Sequence, residues 1–140
     1  MVNNFGRLSP TGRRFGSKKE DFRVEIGEKV LLGEIKGVGH NVRSENVSQL
    51  DVHYQGFVED NLDIDINNIS ALLIMNHQCR KPLNERKEVH ENQIKLAKRN
   101  GSLIIETIEL LKLYDNYRKE DITREECIRR LTSEIGLFKA

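Results

Sequence analysis

The sequence predicts an α/β sandwich, a mixed central sheet with helices on both faces, three layers in all. Three observations predict it. A hairpin pattern alternates through Phe22, Val24 and Ile26; two short runs, ISALLIM (69–75) and SLIIE (102–106), are continuously apolar; and amphipathic helical stretches separate them. Continuous apolar runs suit strands covered on both faces, and strands separated by helices imply parallel pairing. At 140 residues the chain is one domain long.

Residues 1–19 hold Gly6, Pro10, Gly12, Gly16 and Ser17 with little apolar periodicity, and are expected to form an irregular arm ahead of a domain spanning 20–140. Before residue 24 the chain carries Arg7, Arg13, Arg14, Lys18, Lys19 and Arg23 against Glu20 and Asp21. Such an arm either meets phosphates or is a solvated terminus. Phe22–Ile26 and residues 29–36 then form two strands about the turn Gly27-Glu28, with glycine where a type II′ hairpin wants it.

Val47, Leu50, Tyr54, Phe57 and Val58 recur at helical spacing, so residues 46–60 are a helix with one buried face. After the strand at 69–75, a loop containing Pro82 leads to a helix over 87–99, stopped by Asn100-Gly101. The strand at 102–106 is followed by helices at 107–118 and 124–135. The second opens on a capping box, Thr123 to Glu126, with Ile122 and Cys127 as a hydrophobic staple.

Composition excludes more than it assigns. Lys+Arg (23) balance Asp+Glu (22), so overall charge does not argue for a nucleic-acid partner. Cys79 and Cys127 have neither metal nor redox spacing and suggest no disulfide framework. The N-terminus lacks the apolar core of a signal peptide, and no apolar run approaches the roughly 18 residues of a membrane span. A soluble, intracellular (cytoplasmic) protein with no membrane partner is expected.

The hairpin carries the chemistry. With Ile26 facing Lys29 across the turn, Asp21 faces Glu34, their Cβ atoms about 4.5–5.5 Å apart. Lys36 lies two residues further along the same face. Opposed like charges destabilise a strand pair, and something must offset them. A divalent cation such as Mg²⁺ would do so, with Lys36 orienting water or stabilising charge on a phosphate. Alternatively Asp21 and Glu34 are strand-end residues neutralised by Lys36 and Arg23.

Asp21 before the first strand, Glu34-Ile35-Lys36 on the next, and Gly37 directly after them resemble the motif of the PD-(D/E)XK nuclease superfamily, with Glu20-Asp21 at its "PD". The helix after the lysine bears Gln49, which matches a glutamine near the active site of many members. LLIMNHQCRKPLNER (72–86) and SLIIETIELLKLY (102–114) resemble the following strands of restriction-endonuclease-like domains. The likeness covers roughly residues 20–137. It implies a restriction-endonuclease-like fold and phosphodiester hydrolysis, with DNA as the expected substrate. Asp21, Glu34, Lys36 and Gln49 would be catalytic, and Asp21 and Glu34 would bind Mg²⁺ or Mn²⁺. The alternative is a catalytically inactive nucleic-acid-binding or protein-interaction module that retains the fold.

The family's usual first helix has no counterpart in residues 1–19. The sheet face it would cover is then expected to be shielded by residues around Phe5, Leu8 and Phe15, by a missing N-terminal partner domain, or by a second copy in a homodimer, the favoured arrangement. Tyr54 falls five residues after Gln49, not the four of a Q-x-x-x-Y pattern, and reads as core.

Candidates for the nucleic-acid backbone are Arg43, Asn76, Arg80, Lys81 and Arg86. Asn76 ends a buried strand, where open α/β sheets put function, or simply terminates it. Arg80, Lys81 and Arg86 form a basic loop that either borders the cleft or is a solvated turn. Among four histidines, His40 stands in the loop GVGHNVR and His53 one turn beyond Gln49, either lining the cleft or half-exposed on the surface. His77 and Cys79 lack the second ligand pair of a zinc site.

Overall fold

The computed structural model describes the backbone of residues 7–10 and the whole of residues 20–140. A mixed sheet of six strands runs in chain order: β1 (Arg7–Pro10), β2 (Phe22–Ile26), β3 (Lys29–Gly37), β4 (Ile69–Asn76), β5 (Leu103–Glu106) and β6 (Gly136–Leu137). β1, β2 and β3 pair antiparallel, and β3 to β6 pair parallel. The helices are α1 (Ser44–Asp60), α2 (Glu91–Asn100), α3 (Thr107–Arg118) and α4 (Arg124–Ser133).

The hairpin register is the expected one, Ile26 against Lys29 and Phe22 against Gly33. Gly27 turns the chain at φ +58, the backbone state that the first central residue of a II′ turn requires. Gly33 is needed for a different reason: the Phe22 ring lies directly over it, where a Cβ would stand 1.9 Å from the ring's Cζ.

Two apolar layers sandwich the sheet. On one face Ala71, Leu73, Met75 and Ile104 pack with Val47 and Leu50 of α1 and Ala97 of α2, while Val30, Leu32 and Ile69 meet Phe57. Tyr54 packs against both groups, as core. On the other face Leu31, Leu72, Leu103 and Ile105 pack with Leu113 and Phe138, joined by Phe22, Leu110 and Leu131. Ile122 and Cys127 pack there as the expected staple, and Thr123 Oγ1 accepts the Glu126 amide over 3.2 Å. Because side chains alternate along a strand, Glu34 and Lys36 share the α1 face with Leu32.

The structure departs from expectation at three places. Arg7–Pro10, expected within an irregular arm, form strand β1, which supplies the outer edge of β2 with backbone partners. The rest of the arm, including Phe5 and Phe15, lies outside the described residues. Helix α2 begins at Glu91 rather than at 87, because backbone groups just before it are engaged elsewhere: Lys87 N–H donates to Gln78 Oε1 (2.9 Å) and Glu88 O accepts from Asn41 Nδ2 (2.8 Å). The chain after α4 forms β6 through Gly136 N–H to Ser102 O (2.9 Å) and Phe138 N–H to Ile104 O (2.8 Å).

Among the described residues no helix precedes β2. On the face bearing Leu31 and Leu72, α3 and α4 pack against the sheet. An apolar groove of about 320 Å³ lies there between Val24, Ile26, Tyr114, Ile128 and Leu131. No helix among the described residues is long and apolar enough to cross a membrane.

Candidate active site

Asp21 stands one residue before the last paired positions of the hairpin, Phe22 and Gly33, and Glu34 one residue beyond them. Asp21 N–H donates to Gly33 O (2.8 Å), and Asp21 Oδ2 accepts the Ile35 amide (2.9 Å). The Asp21 side chain thus leans over the end of β3. Glu34 lies on the same face but beneath α1, 1% exposed. Lys36 follows it, with Nζ 3.7 Å from Glu34 Oε2 and a side chain 30% exposed. The three groups therefore form a gradient: Glu34 at the back, Asp21 and Lys36 at the solvent side.

Burial pushes the Glu34 carboxyl above its ordinary value of 4.5, and the Asp21 charge pushes it further; His53 and Lys36 pull the other way. The two carboxylates thus stand close enough for one to feel the other's charge. Among the described residues no group of three or more His, Cys, Asp or Glu side chains is arranged to hold a metal ion. The acidic constellation is a pair.

His53, expected to be half-exposed or to line the cleft, is buried, 6% exposed, and its Nδ1 hydrogen-bonds Glu34 Oε1. The other ring nitrogen, Nε2, is buried with no partner among the described residues, an arrangement that costs about 1–3 kcal/mol. A signal is present in the sequence. His53 falls three residues after Leu50 and four before Phe57, on the stripe that α1 buries. Gln49, one turn earlier, is half-buried and makes no side-chain hydrogen bond among the described residues.

Glu20 is not part of the pair. It is 3% exposed and receives Arg23 through Nε (3.2 Å) and Nη2 (2.9 Å), while the Arg23 guanidinium lies 4.6 Å from the Phe57 ring centroid. Arg23, one expected neutraliser of the Asp21–Glu34 pair, is thus bound to Glu20.

The basic candidates divide. The loops after β3 and β4 are zipped together by Gln78 N–H to His40 O (2.9 Å) and Cys79 N–H to Val38 O (3.0 Å). That brings the exposed Arg80 side chain beside Gly39, just past the end of β3. Lys81 is exposed on the same loop. Arg86 is occupied in holding that loop, donating to Asn76 Oδ1 (2.7 Å) and Lys81 O (2.9 Å). Asn76 is the last residue of β4 and holds Arg86 there. Arg43 precedes α1, its amide donating to Asn46 Oδ1 (2.9 Å). His77 is buried and donates through Nε2 to Lys87 O (2.9 Å), whereas Cys79 is exposed.

No family model and no curated protein matches the chain. Among solved structures, that of the restriction endonuclease FokI superposes with a TM-score of 0.62 at 16% sequence identity, covering 96% of this chain and 26% of that one. The fold is restriction-endonuclease-like. The chain spans about a quarter of the length of FokI, and at this identity the likeness speaks for the fold alone.

Proposed function

We propose that the chain is a divalent-metal-dependent nuclease that hydrolyses phosphodiester bonds, with DNA as its substrate. The observation that carries this reading is the gathering of three side chains at the end of one hairpin: Asp21 Oδ2 binds the Ile35 amide between Glu34 and Lys36, and Lys36 Nζ lies 3.7 Å from Glu34 Oε2, in a restriction-endonuclease-like fold. The PD-(D/E)XK pattern of these three residues supports it.

The donor set fits Mg²⁺ or Mn²⁺. Both side chains offer hard carboxylate oxygens, and burial, then the Asp21 charge, disfavours the ionised Glu34, a cost that a divalent cation would relieve. Asp21 and Glu34 would hold the ion, which when bound neutralises phosphate charge and acidifies a water. Lys36, half in solvent at the mouth, would orient the attacking water or stabilise charge developing on the phosphate. Arg80 and Lys81 would hold the backbone without reading bases.

A nuclease assay with Mg²⁺ or Mn²⁺, and with EDTA, tests the reading against Glu34→Ala and Lys36→Ala. Cleavage by the wild type alone, abolished by EDTA, is expected. Equal activity in all three proteins would defeat the assignment. DNA binding without cleavage in any of them would favour the inactive binding module.

A further inference from the structure

We infer that His53 is a positioning residue for Glu34, fixing Oε1 of that carboxylate so that Oε2 is presented to the cleft bordered by Asp21 and Lys36. The inference rests on the reading of Asp21 and Glu34 as a metal-binding pair. It adds to that pair a member from α1, 19 residues away in sequence.

The geometry supplies the argument. A glutamate has three rotatable side-chain bonds, and the backbone of β3 alone does not decide which oxygen faces outward. The two oxygens of Glu34 have different neighbours: Oε1 takes the His53 Nδ1 hydrogen bond, and Oε2 lies 3.7 Å from Lys36 Nζ. His53 is well placed to make that choice. Leu50 and Phe57, on either side of it along α1, are 0% and 7% exposed, so the helix is anchored where the ring projects.

The ring's other nitrogen points to the same role. Packing alone would be served by an apolar residue at position 53, which would strand no ring nitrogen but would leave the buried Glu34 Oε1 without His53. Instead the imidazole is kept buried, hydrogen-bonded to Glu34, with Nε2 unpartnered among the described residues. Partners that orient metal-binding side chains in this way are worth about 10- to 100-fold in metal affinity.

Direct binding of Mn²⁺ to the full chain, by calorimetry or by electron paramagnetic resonance of the free ion, tests the inference. His53→Asn keeps an N–H donor near the Nδ1 position, His53→Gln moves it outward, and His53→Ala removes it. Mn²⁺ affinity is expected to fall about 10- to 100-fold in His53→Ala and His53→Gln and to stay near wild type in His53→Asn. Thermal melts of the metal-free proteins run alongside, and should rank the variants differently from the binding data. Wild-type affinity in His53→Ala and His53→Gln, with Glu34→Ala having lost binding, overturns the role of His53 alone. Asn failing as badly as Gln, or no variant at 53 folding, also overturns it. Wild type binding no better than Glu34→Ala overturns the metal-site reading itself, and the inference with it.

Discussion

Asp21 reaches past the start of its own strand to Ile35, whose amide donates to Asp21 Oδ2 over 2.9 Å. The aspartate thus ties down an unpaired backbone group of β3 while keeping its charge near Glu34. Asparagine can do the first and not the second. Asp21→Asn should hold its stability to within about 0.5 kcal/mol, whereas Asp21→Ala should lose about 1 kcal/mol. Both should lose metal-dependent cleavage. Urea unfolding and the nuclease assay check this, and wild-type cleavage by Asp21→Asn would contradict it.

The contact between Phe22 and Gly33 should be revealed by coupling. Gly33→Ala drives a methyl into the Phe22 ring and should cost about 1–3 kcal/mol. Phe22→Leu vacates that space at the cost of apolar packing. In the double variant the two losses should fall short of their sum by about 0.5–3 kcal/mol, measured by denaturant unfolding. Simple additivity would mean the ring moves aside freely.

Lys36→Met keeps the length of the side chain and removes its charge. Because the lysine is partly exposed, melting should change little. Turnover should fall by about 10²–10³, the usual effect of losing one group aimed at developing charge. Single-turnover kinetics at saturating metal would show it, and a loss below about tenfold would argue against a catalytic role.

Two buried carboxylates should tilt the pH dependence of stability in opposite directions. Glu34 holds its proton more tightly folded than unfolded, through burial and the Asp21 charge. Its contribution is therefore greatest below 4.5 and is lost as pH rises through the folded value. Glu34→Gln should raise the Tm at neutral pH and flatten that decline. At Glu109 burial raises the pKa, but hydrogen bonds from Lys112 and the Ala140 amide outweigh it, and the net shift is downward. Its stabilisation is present above 4.5 and lost as pH falls through the folded value. Glu109→Gln should lower the Tm at neutral pH and remove that acid-side loss. Melts in EDTA from about pH 3 to pH 8 check both slopes.

What is legible in the sequence is what depends on neighbours in the chain. The hairpin register follows from one turn and an alternating pattern, so the pairs from Ile26–Lys29 to Phe22–Gly33 can be counted out from Gly27-Glu28 alone. β4, β5, α3 and the capped start of α4 are equally local. β1 and β6 are not legible: four and two residues are too short to show a period, and each becomes a strand only by finding an edge. The burial of His53 can be read from the α1 stripe, but its partner cannot, because Glu34 is supplied by the docking of α1 on β3. The hydrogen bond between Asn76 and Arg86 is likewise set by the fold of the loop that joins them, not by a local pattern.

The unequal lengths of the strands have a consequence for solubility. The two long strands, β3 with nine residues and β4 with eight, lie inside the sheet, while its borders are β1 with four and β6 with two. A strand at the border of a sheet is a template on which another molecule can add its own backbone, and short ones offer few rungs. β1 also ends at Pro10, which has no N–H to lend. Removing β1 would bare the five residues of β2 and make the hairpin that bears Asp21 and Glu34 the aggregation-prone border of the protein.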